Sequence, residues 1–483
     1  MRRDRIIRAA TWCLLTGCLF LVRCSKSSNP SGAGSSISGT ATLEQSADHQ
    51  GVTVRIYVPP EVDTDLAQQQ SQHPGVGVPI GPRTLFDHRQ ASFTAGTETG
   101  SDGAYAFSDI PGGEYIIVAE MDGYGYQARH DISVRKGRNT TVDPMELLLE
   151  QELAGTIAAG ATLDAGRHYL VTGDVTVPSG VTLTIEPGAQ IRFQGYYTLL
   201  IEGRLEAVGT EEEMIVFTSD QPAPAKDDWK RIEFSSSDQT SRMQWCRVEY
   251  STFGIYGKST PLLLSHNVVR ENTENGVIIF STFDQPVEVK NHLIMSNRNG
   301  LWLEYADNSV VENCILFDNE ELGIGCQECS PVLENNLLQE NQYGLYVVYS
   351  SNPQCRNNAL VGNEWGLVCG GFSSPLLSLC SFAGHSIGAI YVFQPPRGSQ
   401  AQPTVRFSNF DEAIGLVRID GGPQAPNNLP IDATNNYWGG LSTAEIDLLI
   451  WDQQDAQPDM VPYIARVEYL PLETALIDSA GLR

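Results

Sequence analysis

Between residues 37 and 150, apolar and polar side chains alternate with period two, as in "ISGTATL", "GVTVRIYV", "GAYAFSDI" and "GEYIIVAEM". A period of two puts successive side chains on opposite faces of an extended strand, so this segment predicts the strands of an antiparallel sandwich. Asp102-Gly103 supplies a two-residue hairpin turn, because glycine accepts the positive φ that a tight turn demands. The alternation breaks at a Pro- and Gln-rich insertion, residues 59–92, which reads as a long loop.

Further along, the pattern changes from alternation to a long repeat. Glycines fall at Gly254, Gly276, Gly300, Gly323, Gly344, Gly366 and Gly388, in steps of 22, 24, 23, 21, 22 and 22, each followed by an apolar residue. One column precedes them: Asn272, Asn297, Asn319, Asn341, Asn363 and then His385. Another runs Asn267, Asn291, Asn313, Asn336 and Asn358 until Cys380 breaks it. Asparagine tolerates the left-handed conformation at a turn, and its amide can donate to one neighbour while accepting from another. A unit of this size cannot bury its apolar face alone, so successive coils must stack and share one core.

The leucine-rich consensus and its helical half are missing. The repeat, together with "YLVTGDVTVPSGVTLTIEPGAQIRF", "LLIEGRLEAVGTEEEMIVFTSDQ" and the closing "ATNNYWGG", resembles the right-handed parallel β-helix family over residues 151–470. "TGSDGAYAFSDIPGGEYIIVAEMDGY" resembles the carboxypeptidase regulatory-like domain, a transthyretin-like β-sandwich, over residues 37–150. That resemblance implies a spacer or interaction module without catalysis. The expected fold is therefore all-β, a β-sandwich followed by a right-handed parallel β-helix. "STAEIDLLIW", with Ser442 and Glu445 in capping-box spacing, predicts a short helix over the last coil, and residues 471–483 form a tail.

The amino terminus adds a location. "MRRDRIIR" is a basic n-region and "AATWCLLTGCLFLV" an apolar stretch too short to span a bilayer comfortably, so residues 1–24 read as an export signal and 25–36 as a polar tether. "LTGC" resembles the lipobox of bacterial lipoproteins and selects Cys18 for acylation, whereas the end of the apolar run selects Cys24, which Arg23 directly before it disfavours. The resemblance implies an exported, lipid-anchored protein of the bacterial cell envelope, at the outer membrane or cell surface. The other reading is a cleaved secretory signal with incidental cysteines.

Charge narrows the partners. With 58 Asp plus Glu against 31 Lys plus Arg, the formal charge of −27 repels a phosphate backbone, which excludes nucleic acid.

Catalysis is weighed because β-helices include polysaccharide lyases, hydrolases and epimerases that act on acidic glycans. "NTE" (Asn272 to Glu274), "GHS" (Gly384 to Ser386) and "RID" (Arg418 to Asp420) follow the order of a polygalacturonase-like pattern. The paired aspartates that hydrolysis needs between the first two motifs are absent, and the Asn column accounts for Asn272 and His385. For a lyase, Arg247, Lys258, Arg270, Lys290 and Arg298 are bases by type, but they occupy unrelated repeat positions and read as solvated charges. Asp227 and Asp228 are a weak metal signal beside Trp229 and Ile232, which read as packing residues. No cofactor or metal is expected. Seven cysteines lie in the repeat, an odd number, and Cys326 and Cys369 share one inward column, so buried thiols are the favoured reading over a redox or zinc "CQEC".

The expectation for function is a binding or structural module. Two residues after the repeat glycines come Tyr256, Ile278, Trp302, Gly325, Tyr346, Val368 and Ile390, which should point outward. Tyr256, Trp302 and Tyr346 would then stand about 10 Å apart, comparable to a disaccharide repeat, with Glu304 and Lys258 beside them for hydrogen bonds. Polysaccharide, or another envelope component, is the partner this implies. The bland alternative has the 59–92 insertion covering these rings.

Overall fold

The computed structural model describes residues 34–235, 237–281, 286–393, 401–411, 417–420, 430–456 and 464–483. The export signal, with Cys18 and Cys24, and most of the tether lie outside the described residues. The chain is all-β: a sandwich, then a right-handed parallel β-helix, with a small helix near the carboxyl end.

In the sandwich, Ser36–Leu43 pairs antiparallel with Ala104–Phe107 and parallel with Asn139–Thr141 and Met145–Leu147. The facing sheet runs Phe93–Glu98, Thr53–Tyr57, Gly113–Glu120 and Gln127–Val134. Ile37, Val54, Ile56 and Ile117, alternate residues of their strands, fill the space between the sheets. Gly103 takes the positive φ expected of it, +78°, but the turn is not a hairpin: Phe93–Glu98 before it and Ala104–Phe107 after it belong to different sheets, so the chain crosses from one sheet to the other there.

Each coil of the solenoid contributes to three parallel sheets. In one coil Leu262–Ser265 lies in the first sheet, Val268–Arg270 in the second and Asn275–Phe280 in the third. The next coil places Val287–Lys290, Leu293–Met295 and Asn299–Glu304 directly beneath them. The first sheet reaches 13 strands. Inward residues such as Leu264, Val269 and Val277 form one continuous core with their counterparts in other coils. Ile446 of the helix Thr443–Asp447 joins that core, and its amino end carries the capping box of Ser442 and Glu445.

The repeat glycines are explained by the corner between the second and third sheets. A Cβ on Gly344 would fall 2.8 Å from Gly366 O and 3.0 Å from Asn363 Nδ2, so only glycine lets the chain pass this close to the next coil and its asparagine. The asparagines form a buried ladder. Asn341 N donates to Asn363 Oδ1 at 2.9 Å, while its Nδ2 donates to Leu316 O at 3.0 Å and Asn363 Oδ1 at 3.2 Å. Asn319 N and Nδ2 reach Asn341 Oδ1 in the same way. At the ladder's end His385 substitutes for asparagine, with Nδ1 accepting from Asn363 N at 3.2 Å, and burial lowers its pKa to about 4.

The other corner corrects one column. Asn267, Asn336 and Asn358 share it as expected, but His292 and Cys314 take the positions assigned to Asn291 and Asn313. Asn267 N donates to His292 Nδ1 at 2.9 Å and Cys314 N to Asn336 Oδ1 at 2.9 Å. Asn291 and Asn313 sit one residue earlier, at φ 55° and 54°, in the left-handed position where asparagine is also favoured. Adjacent roles with the same preference cause the slip.

Residues 59–92 are also more ordered than a loop. Asp63 Oδ1 accepts from Asp65 N and Leu66 N, capping the helix Thr64–Gln72, and a second turn of helix spans Pro82–Leu85. Leu66, Val76 and Val78 pack on Val268, Leu293, Ile315 and Leu337, the outward residues of the second sheet. Residues 471–483 run back along the solenoid, with Ile477 N donating to Asn409 Oδ1 and Asn357 Nδ2 to Ser479 O. No described helix is long and apolar enough to cross a membrane.

Candidate functional site

The insertion decides which face stays open. It covers the second sheet and leaves the third, so the rings of the third sheet are not packed beneath it.

Along the third sheet one outward register row runs Tyr256, Ile278, Trp302, Gly325, Tyr346, Val368, Tyr391, Arg418 and Trp451. Through Val368 this is the expected row. At the next coil it holds Tyr391, and Ile390 faces the core beside Leu367, because Gly388 aligns with Trp365 instead of Gly366. Ala389 O lies against Gly366, so the repeat there is one residue longer than glycine spacing suggests.

Trp302 lies across the small slot left by Gly325. A Cβ on Gly325 would come within 2.7 Å of Trp302 Cζ3. The indole Nε1 donates to Glu304 Oε2 at 3.2 Å, and Gln327 Nε2 donates to Glu304 Oε1 at 3.1 Å. Glu304 is thereby held against the ring. Tyr256 has a different role: the Arg231 guanidinium sits 4.6 Å from its ring centre, paired with Glu233 at 2.6 Å. Lys258 is exposed in the row that continues through Phe280 to Glu304, two coils from the carboxylate.

A second aromatic group lies farther along, and the sequence reading missed all of it except Tyr346. Tyr343 and Tyr346 have ring centres 5.9 Å apart, Trp365 and Tyr391 5.1 Å, Tyr391 and Phe393 5.9 Å, and Tyr346 and Phe393 6.5 Å. Phe393 covers Gly370 as Trp302 covers Gly325, with Cε1 2.6 Å from where a Cβ would stand. Burial, with the phenols of Tyr349 and Tyr343 adding to it, raises the Tyr346 pKa and keeps its hydroxyl neutral. The signal that could have found this group was the aromatics on either side of the glycines, at −1 in Tyr343 and Trp365, as well as at +2.

The other candidate chemistry does not converge. Asn272 and His385 occupy the same buried ladder five coils apart, about 24 Å at the usual strand spacing. Glu274 instead pairs with Arg298 at 3.0 Å on the surface, and the Asp420 side chain lies outside the description. Asp228 Oδ2 accepts from Ser219 Oγ at 2.6 Å and Ala225 N at 2.9 Å, a structural corner above the fully buried Trp229 and Ile232. No group of metal-ligating side chains occurs among the described residues. The seven described cysteines are buried free thiols, and burial raises the pKa of Cys246, Cys355 and Cys369.

Arg247 and Arg270 are not the solvated charges the sequence suggested. Both are buried on the second sheet against Glu249, Arg270 Nη2 at 2.8 Å and Arg247 Nε at 3.3 Å. They also donate into the insertion, Arg270 Nη1 to Leu85 O at 2.8 Å and Arg247 Nη1 to Phe86 O at 3.2 Å. Asp87, held by Arg89 at 2.9 Å, accepts from Tyr250 at 3.2 Å. Periodicity cannot show such a network, because the partners come from an insertion distant in sequence.

Comparison with known proteins agrees with this architecture. A family model described as "Right handed beta helix region" matches residues 232–394, and one described as "Pectate-lyase like beta helix domain" matches 155–257. The solenoid is a right-handed β-helix. A "Carboxypeptidase regulatory-like domain" model matches residues 84–146 of the sandwich. No curated protein matches the chain. Among solved structures, the β-helix chain is similar to the Bacillus anthracis TIE protein, at 10% identity over 27% of this chain and 20% of that one, with a TM-score of 0.14. It is similar to the Dettilon tailspike protein at 12% identity over 67% and 62%, with a TM-score of 0.31. A point mutant of the periplasmic alginate epimerase AlgG matches at 12% identity over 57% and 85%, with a TM-score of 0.22. The chain spans less than two thirds of the first two structures.

Proposed function

We propose that this is an exported glycan-binding protein in which the third sheet of the β-helix is the binding face and the sandwich with its insertion is the spacer clamped to the second sheet. The observation that carries the reading is Trp302 laid over Gly325 with its Nε1 held by Glu304. A ring flat on a sheet offers apolar surface to the apolar face of a sugar, and its fixed polar edge leaves little side-chain freedom to lose on binding. Tyr346, Trp365, Tyr391 and Phe393 extend that surface along the solenoid. A face this rich in outward rings is uncommon on a protein without a partner. Tyr256, against Arg231, and Lys258 mark the amino-terminal edge of the face, and Glu304 supplies hydrogen bonds beside Trp302.

The test is a pull-down on insoluble and immobilised polysaccharides with the mature chain and with Trp302→Ala. Binding by the first and its loss in the second supports the site; no binding by either removes it.

The location we propose is the bacterial cell envelope, through a diacylglyceryl group on Cys18, with Cys24 as the other candidate. The basic n-region, the short apolar stretch and "LTGC" support it. Membrane fractionation and mass spectrometry of the mature amino terminus test it, and a soluble form beginning at an unmodified residue would remove the anchor.

A further inference from the structure

We infer that the glycan taken by this face is neutral and linear, running along the solenoid axis from Trp302 to Tyr391, and that uronate polymers are excluded. The inference rests on the glycan reading above and adds the ligand's charge and direction.

Direction follows from the register. Trp302, Tyr346 and Tyr391 lie in one row perpendicular to the strands, and Tyr391 is four coils beyond Trp302. At the usual spacing between strands that is about 19 Å, twice the interval from Trp302 to Tyr346. Gly325 and Val368 alternate with the rings along the row, so a chain lying on it meets a ring at every second coil. A branched ligand would have to leave this line.

Charge follows from what stands beside the rings. Glu304 lies beside Trp302 in the first coil of this stretch, each of its oxygens engaged by one donor, Trp302 Nε1 or Gln327 Nε2. An ionised carboxylate retains further acceptor capacity, so it can still take a hydrogen bond from a sugar hydroxyl. It offers nothing to a ligand carboxylate except repulsion.

The neighbouring cations are already engaged, and Arg418, which follows Tyr391 in the row and lies one coil beyond the stretch, sits over the Trp451 ring at 5.8 Å. Arg231 is paired with Glu233 at 2.6 Å, and Arg298 is shared between Glu274 and Glu321 at 3.0 Å each, which leaves that trio negative. On the other edge Tyr305 Oη donates to Glu328 at 3.1 Å. Lys258 is exposed but lies two coils before Glu304 in its row, outside the stretch from Trp302 to Tyr391. A uronate polymer carries a charge on every sugar and would need a cation near each one. This stretch offers rings and acceptors instead, which suits hydroxyls and apolar sugar faces.

The experiment is affinity electrophoresis of the mature chain, and of Glu304→Gln, in gels containing a neutral linear β-glucan, a neutral xylan, polygalacturonate or alginate. The unmodified protein is expected to be retarded by a neutral polymer, with little change at high salt, and to pass freely through both uronate gels. E304Q is expected to gain retardation in at least one uronate gel. Equal or stronger retardation of the unmodified protein by a uronate polymer would overturn this inference and leave the glycan reading standing. An absence of any such gain in E304Q would remove Glu304 as the excluding group, and the inference with it. No retardation by any polymer would overturn the glycan reading itself.

Discussion

Trp302 rests on Gly325 of the following coil, and the absence of a side chain at 325 is what allows the indole to lie down. Gly325→Ala should therefore lift the ring off the sheet. Forcing atoms into an occupied site costs about 1–3 kcal/mol, and here the cost falls on the ring's pose as well as on stability. The expected result is a change in tryptophan emission, reduced affinity for the glycan and a modest fall in melting temperature. Unchanged emission and affinity would mean that the contact does not hold the platform.

The asparagine ladder should behave as a core and not as surface. Asn341→Ala removes the acceptor of Asn319 N and the donor to Leu316 O within a fully desolvated corner. Leaving such groups unpaired costs on the order of 1–3 kcal/mol, measurable by denaturant titration. Exposed Asn308→Ala, also at a turn, is the control and should cost much less. Equal effects would count against a buried ladder.

Much of this was legible in the chain. The 22-residue glycine step predicts coils, and Asn319, Asn341 and Asn363 sit where a column of amides is expected. Legibility failed in two physical circumstances. Where two neighbouring positions share a preference, as Asn291 and His292 do at one corner, spacing alone cannot tell the left-handed turn residue from the ladder residue. Where a coil lengthens by one residue, as before Ala389, counting from glycine moves Ile390 outward and hides Tyr391. Alternation predicts an outward direction for Trp302, Tyr346 and Glu304 on the third sheet, and they take it. The burial of Arg247 and Arg270 was not, because nothing local announces that residues 82–89 return to cover them.

Acid should loosen the clamp between sandwich and solenoid. His88, His130 and His168 border one cavity of about 370 Å³ between the two parts, and the Tyr126 ring lies 4.3 Å from His88 and 4.9 Å from His168. Burial lowers the pKa of His88 and His130 to about 4 and that of His168 well below its usual value, and Arg192 opposes protonation of His88 and His168. A histidine whose folded pKa is depressed contributes stability that is present above the unfolded value near 6.5 and lost as pH falls through the folded one. Proteolysis within residues 59–92 should therefore accelerate between about pH 6 and pH 4. His168→Gln should flatten that rise. A cleavage rate independent of pH would refute the clamp's sensitivity.

The insertion should also be needed for the second sheet to stay dry. Leu66 is buried against the solenoid in a row with Val76 and Val78. Leu66→Ala is expected to cost about 2–3 kcal/mol, toward the low end for a buried leucine because the site lies at a docking surface that can relax. Binding of a hydrophobic dye at neutral pH reports exposure of Val268, Leu293 and Ile315. No increase over the unmodified protein would show that the helix is not what covers them.

The most direct measurement of the central claim is hydroxyl-radical footprinting of the mature chain with and without a saturating neutral polysaccharide, read residue by residue by mass spectrometry. Recognition on the third sheet predicts protection of Trp302, Tyr346, Trp365 and Tyr391, with no change at Val332 and Leu376 on the first sheet or at Tyr196. Protection confined to the first sheet or to the cavity beside the sandwich, or no protection of the four rings in a complex shown to form, would contradict it.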